Sequence, residues 1–394
     1  MAKGDIYPLE YHEYIDESTG SRVTRLTPPD IICHRNYFYQ KCFLDNGQSL
    51  IFAAEFDGFR NYYRLELATG KATQLTQGPG DNTFGGFLSP DELYLYYVKG
   101  ERNLMRVALQ DPHLTETSVY QVADEWVGYG TWVANTACTQ LVGVEIHRDS
   151  WRPVSDWTVF QTFYEENPLC RVIRIDLQTG QSTTLLQENQ WLGHPIYRPY
   201  DDNTVAFCHE GPLDRVDTRM WLMNEDGSNI RKVKEPAPGE SYTHEFWVPD
   251  GSAMMYVTYV KDSPVRYLCR VDPISGQDEK IVEMPPCSHV MSNDNGRLAV
   301  GDGSGKPIDI VDNEGYGDVT DPYLYLFDLK NKQTHKIAKH SSSWAVLDGD
   351  RQVTHPHPSF TPDEKKVLFS SDKDGKPALY LASIPDAVLR SIQL

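Results

Sequence analysis

The sequence predicts an all-β protein: a seven-bladed β-propeller whose last blade is closed by a strand from the N-terminal region. Three observations carry this. Tyr, Phe, Trp, Gly and Pro are frequent and no long segment shows clean helical periodicity, a mix that favours strands joined by turns. A unit of turn, strand and hairpin recurs at intervals of roughly forty-five to seventy residues, the spacing of propeller blades. The hairpin half of that unit occurs once before the first turn and is incomplete after the last, the offset that ring closure requires.

The front turn of each unit is rich in Asp, Asn, Gly or Pro and runs straight into a strand. In order, the copies are Asp45-Asn46-Gly47 before Leu50-Ile51-Phe52, Ser89-Pro90-Asp91 before Tyr94-Leu95-Tyr96, and a weaker one, Asn135 to Gln140, before Leu141–Val144. Then come Asp201-Asp202-Asn203 before Val205-Ala206-Phe207, and Pro249-Asp250-Gly251 before Met254-Met255-Tyr256. The last are Asp294-Asn295-Gly296 before Leu298-Ala299-Val300, and Pro362-Asp363 before Val367-Leu368-Phe369. Six later hairpins follow these turns, at Thr69-Gly70, Asp111-Pro112, Thr179-Gly180, Asp226-Gly227, Ser275-Gly276 and Asn331-Lys332. A further hairpin, Glu13–Asp16 with Thr19-Gly20 and Val23–Leu26, precedes them all.

A four-stranded blade left short at the end of the chain exposes backbone donors and acceptors that an early strand can satisfy. Residues 23–26 are therefore assigned as the outer strand of the C-terminal blade, about 354–384. With no low-complexity tail or linker, residues 1–394 read as a single domain. Blades three and six carry insertions, roughly His147–Pro168 and Ser304–Asp321, expected as long loops on one face.

The formal net charge of −19 argues against nucleic acid or an anionic membrane surface as partner. An anionic small molecule remains admissible, provided the pocket supplies its own Arg, Lys, His or metal. The N-terminal residues lack an apolar h-region and no apolar run reaches membrane-spanning length. Seven scattered cysteines without CxxC spacing read as reduced thiols. A cytoplasmic enzyme or binding protein is expected.

In a propeller the innermost strand of each blade lines the channel and immediately precedes the front turn. Histidines recur there late in the chain: His194, His244, His289, and His355 with His357. His355 and His357 each precede a proline, which disfavours helix and predicts extended backbone with both imidazoles on one side and Gln352 just upstream. Two imidazoles and an amide oxygen make a borderline donor set suited to a divalent transition metal. A bare His-x-His reads first as a loop pair; its register with His289 shifts the reading to a metal site. His194, followed by Pro195, reads as inter-blade packing, and His244 is assigned to proton transfer.

Blade four carries Cys208-His209-Glu210-Gly211-Pro212, then Arg215 and Arg219-Met220-Trp221. Arg215 reads as part of a solvated turn, whereas His209 and Arg219 fit a functional or a packing role equally well. The blade-three insertion mixes cationic and aromatic groups around Arg148, Trp151 and Arg152, which would grip an acidic sugar or cover blade edges. No G-x-S-x-G elbow or HExxH pair occurs, and Gly301–Pro307 fails the P-loop pattern and reads as a loop.

Taken together, the Cys208–Pro212 and Arg219–Trp221 stretches, His244, His289 and Gln352-x-x-His355-Pro356-His357 resemble the oligogalacturonate lyase family over essentially the whole chain. That resemblance implies a cytoplasmic pectin-degrading lyase that uses manganese, with other divalent transition metals also admissible. Its metal ligands would be His289, Gln352, His355 and His357. His244 would be the Brønsted base and Arg219 would assist at the substrate; His209, Arg215 and Arg152 are carried as substrate contacts. The implied substrates are short saturated and unsaturated galacturonides, ending with digalacturonate, cleaved by β-elimination to release 4-deoxy-5-hexosulose uronate. The repeats alone fit a noncatalytic TolB-like propeller binding a protein or peptide, or a peptidase-type propeller. On the first of those readings the histidines would be inter-blade struts; on the second a hydrolase partner domain would have to lie elsewhere.

Overall fold

The computed structural model describes residues 2–154, 157–263, 265–303, 321–347 and 352–392. Their strands form seven antiparallel sheets that follow one another along the chain as the blades of a propeller. The innermost strands of blades three to six are Trp126–Ala134, Leu192–Arg198, Glu240–Trp247 and Cys287–Ser292. Blade one begins with two short inner pieces, Cys33–His34 and Phe43–Leu44, both paired to Ser49–Ala54. Blade seven begins at Ser359–Phe360.

The second strands are apolar almost throughout because both of their faces are covered. Successive side chains point to opposite faces of a sheet. In Ser49–Ala54, Leu50, Phe52 and Ala54 meet blade seven while Ile51 meets blade two. In Lys366–Ser371, Val367 and Phe369 meet blade six while Leu368 meets blade one. The buried apolar clusters accordingly sit one at each junction between neighbouring blades. Leu379 is fully buried at the junction of blades seven and one. Leu379→Ala is expected to lower unfolding free energy by about 2–5 kcal/mol, measured by chemical denaturation.

Ring closure engages more of the N-terminal region than one strand. Arg22–Arg25 pairs with Ala378–Ser383, with Val23 opposite Ala382, and forms the expected fourth strand of blade seven. His12–Ile15 adds a fifth outside it, and Ile6–Pro8 crosses to the outer edge of blade one. The same short stretch therefore ties both sides of the seam.

One helix departs from the expectation of a loop, and a second lies near the C-terminal end of the described residues. The blade-three insertion contains Trp157–Glu165, where Phe160 and Phe163 lie three residues apart and pack on Trp191 at 4.8 and 4.6 Å between ring centroids. Asp386–Ile392 lays Val388, Leu389 and Ile392 against the junction of blades six and seven. No described helix is long and apolar enough to cross a membrane. Gly301-Asp302-Gly303, expected in a loop, completes the strand Leu298–Gly303; residues 304–320 of the blade-six insertion lie outside the described residues.

Residues 35–42, between the two inner pieces of blade one, run across the channel. Tyr39 reaches Thr131 of blade three, and Tyr37 stacks on His194 of blade four at 5.6 Å. Phe38 meets His244 and Phe246 of blade five at 6.1 and 6.2 Å and His289 of blade six at 5.6 Å. Tyr37 also touches His357 of blade seven at 5.3 Å. An aromatic plug thus closes the axis beneath the histidines.

Candidate metal centre

The histidines reach the channel because their strands are irregular at those points. The pairing register shifts between Gly193 and Ile196, between Thr243 and Phe246, and between Cys287 and Val290, bracketing His194, His244 and His289. A bulge re-aims a side chain that regular alternation would direct elsewhere. His194 and His244 take φ of 49° and 52°, left-handed values that burden a non-glycine residue by roughly 1–3 kcal/mol and persist only where the surroundings enforce them.

His357 is a third case, with φ of 46°. The extended pre-proline geometry expected for it does not occur, and Gln352–Thr354 forms a single 3-10 turn. The two imidazoles still converge, 5.7 Å between ring centroids, but through a tight turn rather than strand alternation. The turn is closed by the His355 N–H, which donates to the Gln352 carbonyl at 3.1 Å, and held from outside by the Thr354 hydroxyl, which donates to the Ala345 carbonyl at 2.8 Å.

Ring nitrogens of His289, His355 and His357 all lie within 4.8 Å of one another, and all three residues are buried. His289 is fixed by Asp302, a residue that sequence reasoning had placed in a glycine loop. Nδ1 of His289 donates to the Asp302 carboxylate at 2.8 Å, and the same carboxylate accepts the His289 and Ser288 backbone N–H groups at 2.7 and 3.1 Å. With Nδ1 occupied, Nε2 of His289 is left as a lone-pair donor, the arrangement by which a carboxylate sets a ligating histidine. Trp344, also missed, stacks parallel to His289 at 5.9 Å and lies 4.5 Å from His355. Nε2 of His357 is buried with no hydrogen-bond partner. A convergent set of imidazoles with a buried, unsatisfied nitrogen fits a borderline divalent cation.

His244 lies 5.0 Å from His289 between ring centroids, and its Nδ1 is likewise buried without a hydrogen-bond partner. Burial, reinforced by His289 and Arg219, holds its pKa well below the ordinary 6.5, so the ring is neutral. Burial with His289 and His355 does the same for His357.

Arg219 is buried between two carboxylates. Its Nη1 and Nη2 donate to Glu210 at 2.8 and 3.2 Å, and its Nε donates to Glu245 at 2.7 Å. Burial pushes the Glu210 carboxyl up, but Arg219 and His194 outweigh it and hold the group below the usual range. His194 donates Nε2–H to Glu210 at 3.1 Å and accepts the Tyr39 hydroxyl at Nδ1 at 3.2 Å, the inter-blade role expected of it. A second cluster, His194, Cys208 and Glu210, is thus already satisfied by the arginine.

A cavity of about 870 Å³ joins these groups. His244, His289, Gln352, His355, Arg219 and Glu210 line it, together with Tyr37, Trp344 and the aromatic wall of Tyr129, Trp151 and Trp191. His209, Arg215 and Arg152 are not among its lining residues. His209 lies 3.3 Å from Glu188 and packs on Trp221, while Arg215 and Arg152 pair with Glu165 and Glu166. From the blade-three insertion it is Trp151, Pro153, Val154 and Phe160 that face the cavity, rather than the arginine.

The family model described as oligogalacturonate lyase matches residues 1–388. An oligogalacturonide lyase of Pectobacterium atrosepticum is 64% identical over 98% of this chain and all of its own length. An oligogalacturonate lyase of Dickeya dadantii is 63% identical with the same coverage. A solved oligogalacturonate lyase in complex with manganese superposes with a TM-score of 0.93 at 62% identity, covering 98% of this chain and 100% of that one. Built on the same ring and matched from end to end, the chain belongs to the oligogalacturonate lyase family.

Proposed function

We propose that this protein cleaves short oligogalacturonides, digalacturonate and its unsaturated form above all, by manganese-assisted β-elimination. The observation that carries the reading is the convergence of three buried imidazoles within 4.8 Å, beside a neutral histidine, with His289, His355 and His244 lining one cavity and His357 behind them. His289, His355 and His357, with Gln352 on the same wall, would hold the ion; this donor set is neutral and leaves the dication its full charge. When bound there, manganese supplies Lewis-acid stabilisation of the negative charge that develops at the uronate carboxylate.

The remaining work falls to the chain. His244, neutral because it is buried, takes the C5 proton. The C5–H electron pair becomes the C4=C5 double bond, and the C4–O bond breaks with its electrons on the departing sugar oxygen. Arg219 steadies charge from a fixed position, because Glu210 and Glu245 already occupy its fork. A substrate carboxylate gains a bidentate grip from Arg219 only by taking over from Glu210. The aromatic wall excludes water and offers flat faces to sugar rings. Seven unpaired cysteines, six of them buried, fit the reducing cytoplasm.

The test is a spectrophotometric assay with digalacturonate. Product is expected with manganese, none after chelation, and recovery on adding manganese back. Full turnover by a preparation shown by elemental analysis to be metal-free overturns the reading.

A further inference from the structure

We propose that Arg35 is a positioning residue that sets the affinity of the histidine cluster for its metal ion, by holding His357 in place from the neighbouring blade. The proposal rests on the metal reading above and extends it to a residue outside the ligand set.

Arg35 is only 1% exposed, and its guanidinium bonds to neutral partners. Nε donates to the Asn36 carbonyl at 3.2 Å, and Nη2 donates to the Phe38 and Gln40 carbonyls at 3.3 and 3.2 Å. Nη1 donates to the His357 carbonyl at 2.7 Å and to the Ser359 hydroxyl. Burying a cation against neutral acceptors alone is unfavourable unless its hydrogen bonds are well made, and removing it would leave several buried acceptors unsatisfied. A methionine or leucine would fill such a place at lower cost if filling it were all that mattered.

The partners fall into two groups. Three carbonyls belong to the axial plug, residues 36–40, and fold that loop around the guanidinium. The other two belong to the segment that carries His357. Arg35 therefore stitches the plug of blade one to the ligand loop of blade seven. The stitch lands on the strained residue: His357 has a left-handed φ of 46°, which turns its carbonyl to Nη1 and its ring to the cluster. The plug then boxes that ring, with Tyr37 at 5.3 Å, while His289 lies 4.2 Å away on its other contact. Release the carbonyl, and the backbone of His357 relaxes toward ordinary φ, swinging Nε2 away from its two neighbours. Losing an outer partner of a metal ligand weakens metal affinity by about 10–100-fold.

The experiment is a manganese titration of chelator-stripped protein, reading free ion by electron paramagnetic resonance well below the melting temperature. Arg35→Lys keeps the charge but not the planar fork; it and Arg35→Ala are expected to raise the manganese Kd at least tenfold. Leu104→Ala, in the distant core between blades two and three, provides a variant of lowered stability with Arg35 intact and is expected to leave Kd unchanged. If Arg35→Ala does not fold, Arg35→Lys decides the matter alone. Variants that bind within twofold of the unaltered protein overturn the role of Arg35. So does a Leu104→Ala protein that loses affinity equally, since the effect would then be global stability. Absence of binding by the unaltered protein overturns the metal reading itself, and this proposal with it.

Discussion

His244→Ala is expected to lower kcat on digalacturonate by about 10²–10⁴-fold while the manganese Kd stays within a few-fold of the unaltered protein. The separation follows from geometry. His244 sits beside His289 at 5.0 Å between centroids but outside the mutually convergent set of His289, His355 and His357. Its ring is neutral without help from a carboxylate, because burial comes first and the neighbouring His289 and Arg219 add to it. A base held neutral in this way stays competent below pH 6.5, so the acid limb of the rate profile is expected below that value. Stability moves with it. The unfolded histidine takes a proton at about pH 6.5 while the folded one refuses it, so the unfolded state binds more protons and stability falls as pH drops below 6.5. A variant that turns over at the normal rate would remove His244 from the chemistry.

His289→Ala or His357→Ala should strip the cation and with it all measurable turnover, with manganese binding as the direct readout. Three imidazoles and one amide are a small donor set, and losing an imidazole leaves too few donors to compete with water. Asp302→Asn tests the support beneath His289. The carboxylate fixes the tautomer that leaves Nε2 free, and a neutral amide can present its N–H instead and invert that preference. A loss of about 10–100-fold in metal affinity is expected, intermediate between the unaltered protein and His289→Ala. Unchanged affinity in Asp302→Asn would mean that the backbone alone positions the ring.

The blades were readable because their second strands are buried on both faces and repeat after a marked turn; Leu50-Ile51-Phe52 and Val367-Leu368-Phe369 divide between two junctions in the same way. The recurrence of histidine on inner strands was readable from register alone. It continues unnoticed into blade one, where His34 is buried, takes part in hydrogen bonds with the Arg35 carbonyl and the Thr83 hydroxyl, and has its pKa pushed down to about 3 by burial and then Arg60. What escaped sequence reasoning was set by distant contacts. The pre-proline rule predicted extended backbone at His357, but a bond from Arg35, 322 residues away, accompanies the opposite outcome. Arg152, Arg215 and His209 were carried as substrate contacts through the family resemblance, and each lies beside a carboxylate of another segment, Glu166, Glu165 and Glu188, that no pattern announced. Asp302 was hidden in a glycine run whose first half is strand. Tyr37-Phe38-Tyr39 carries no repeat marker, and only the closed ring brings five blades around it.

The floor that those three aromatics make turns the ring into a well rather than a pipe. A sugar chain cannot be drawn through it, and each fragment must retreat past the rim it came in by. Such a vessel suits guests short enough to be swallowed whole or by one end, and offers little purchase on the middle of a long polymer.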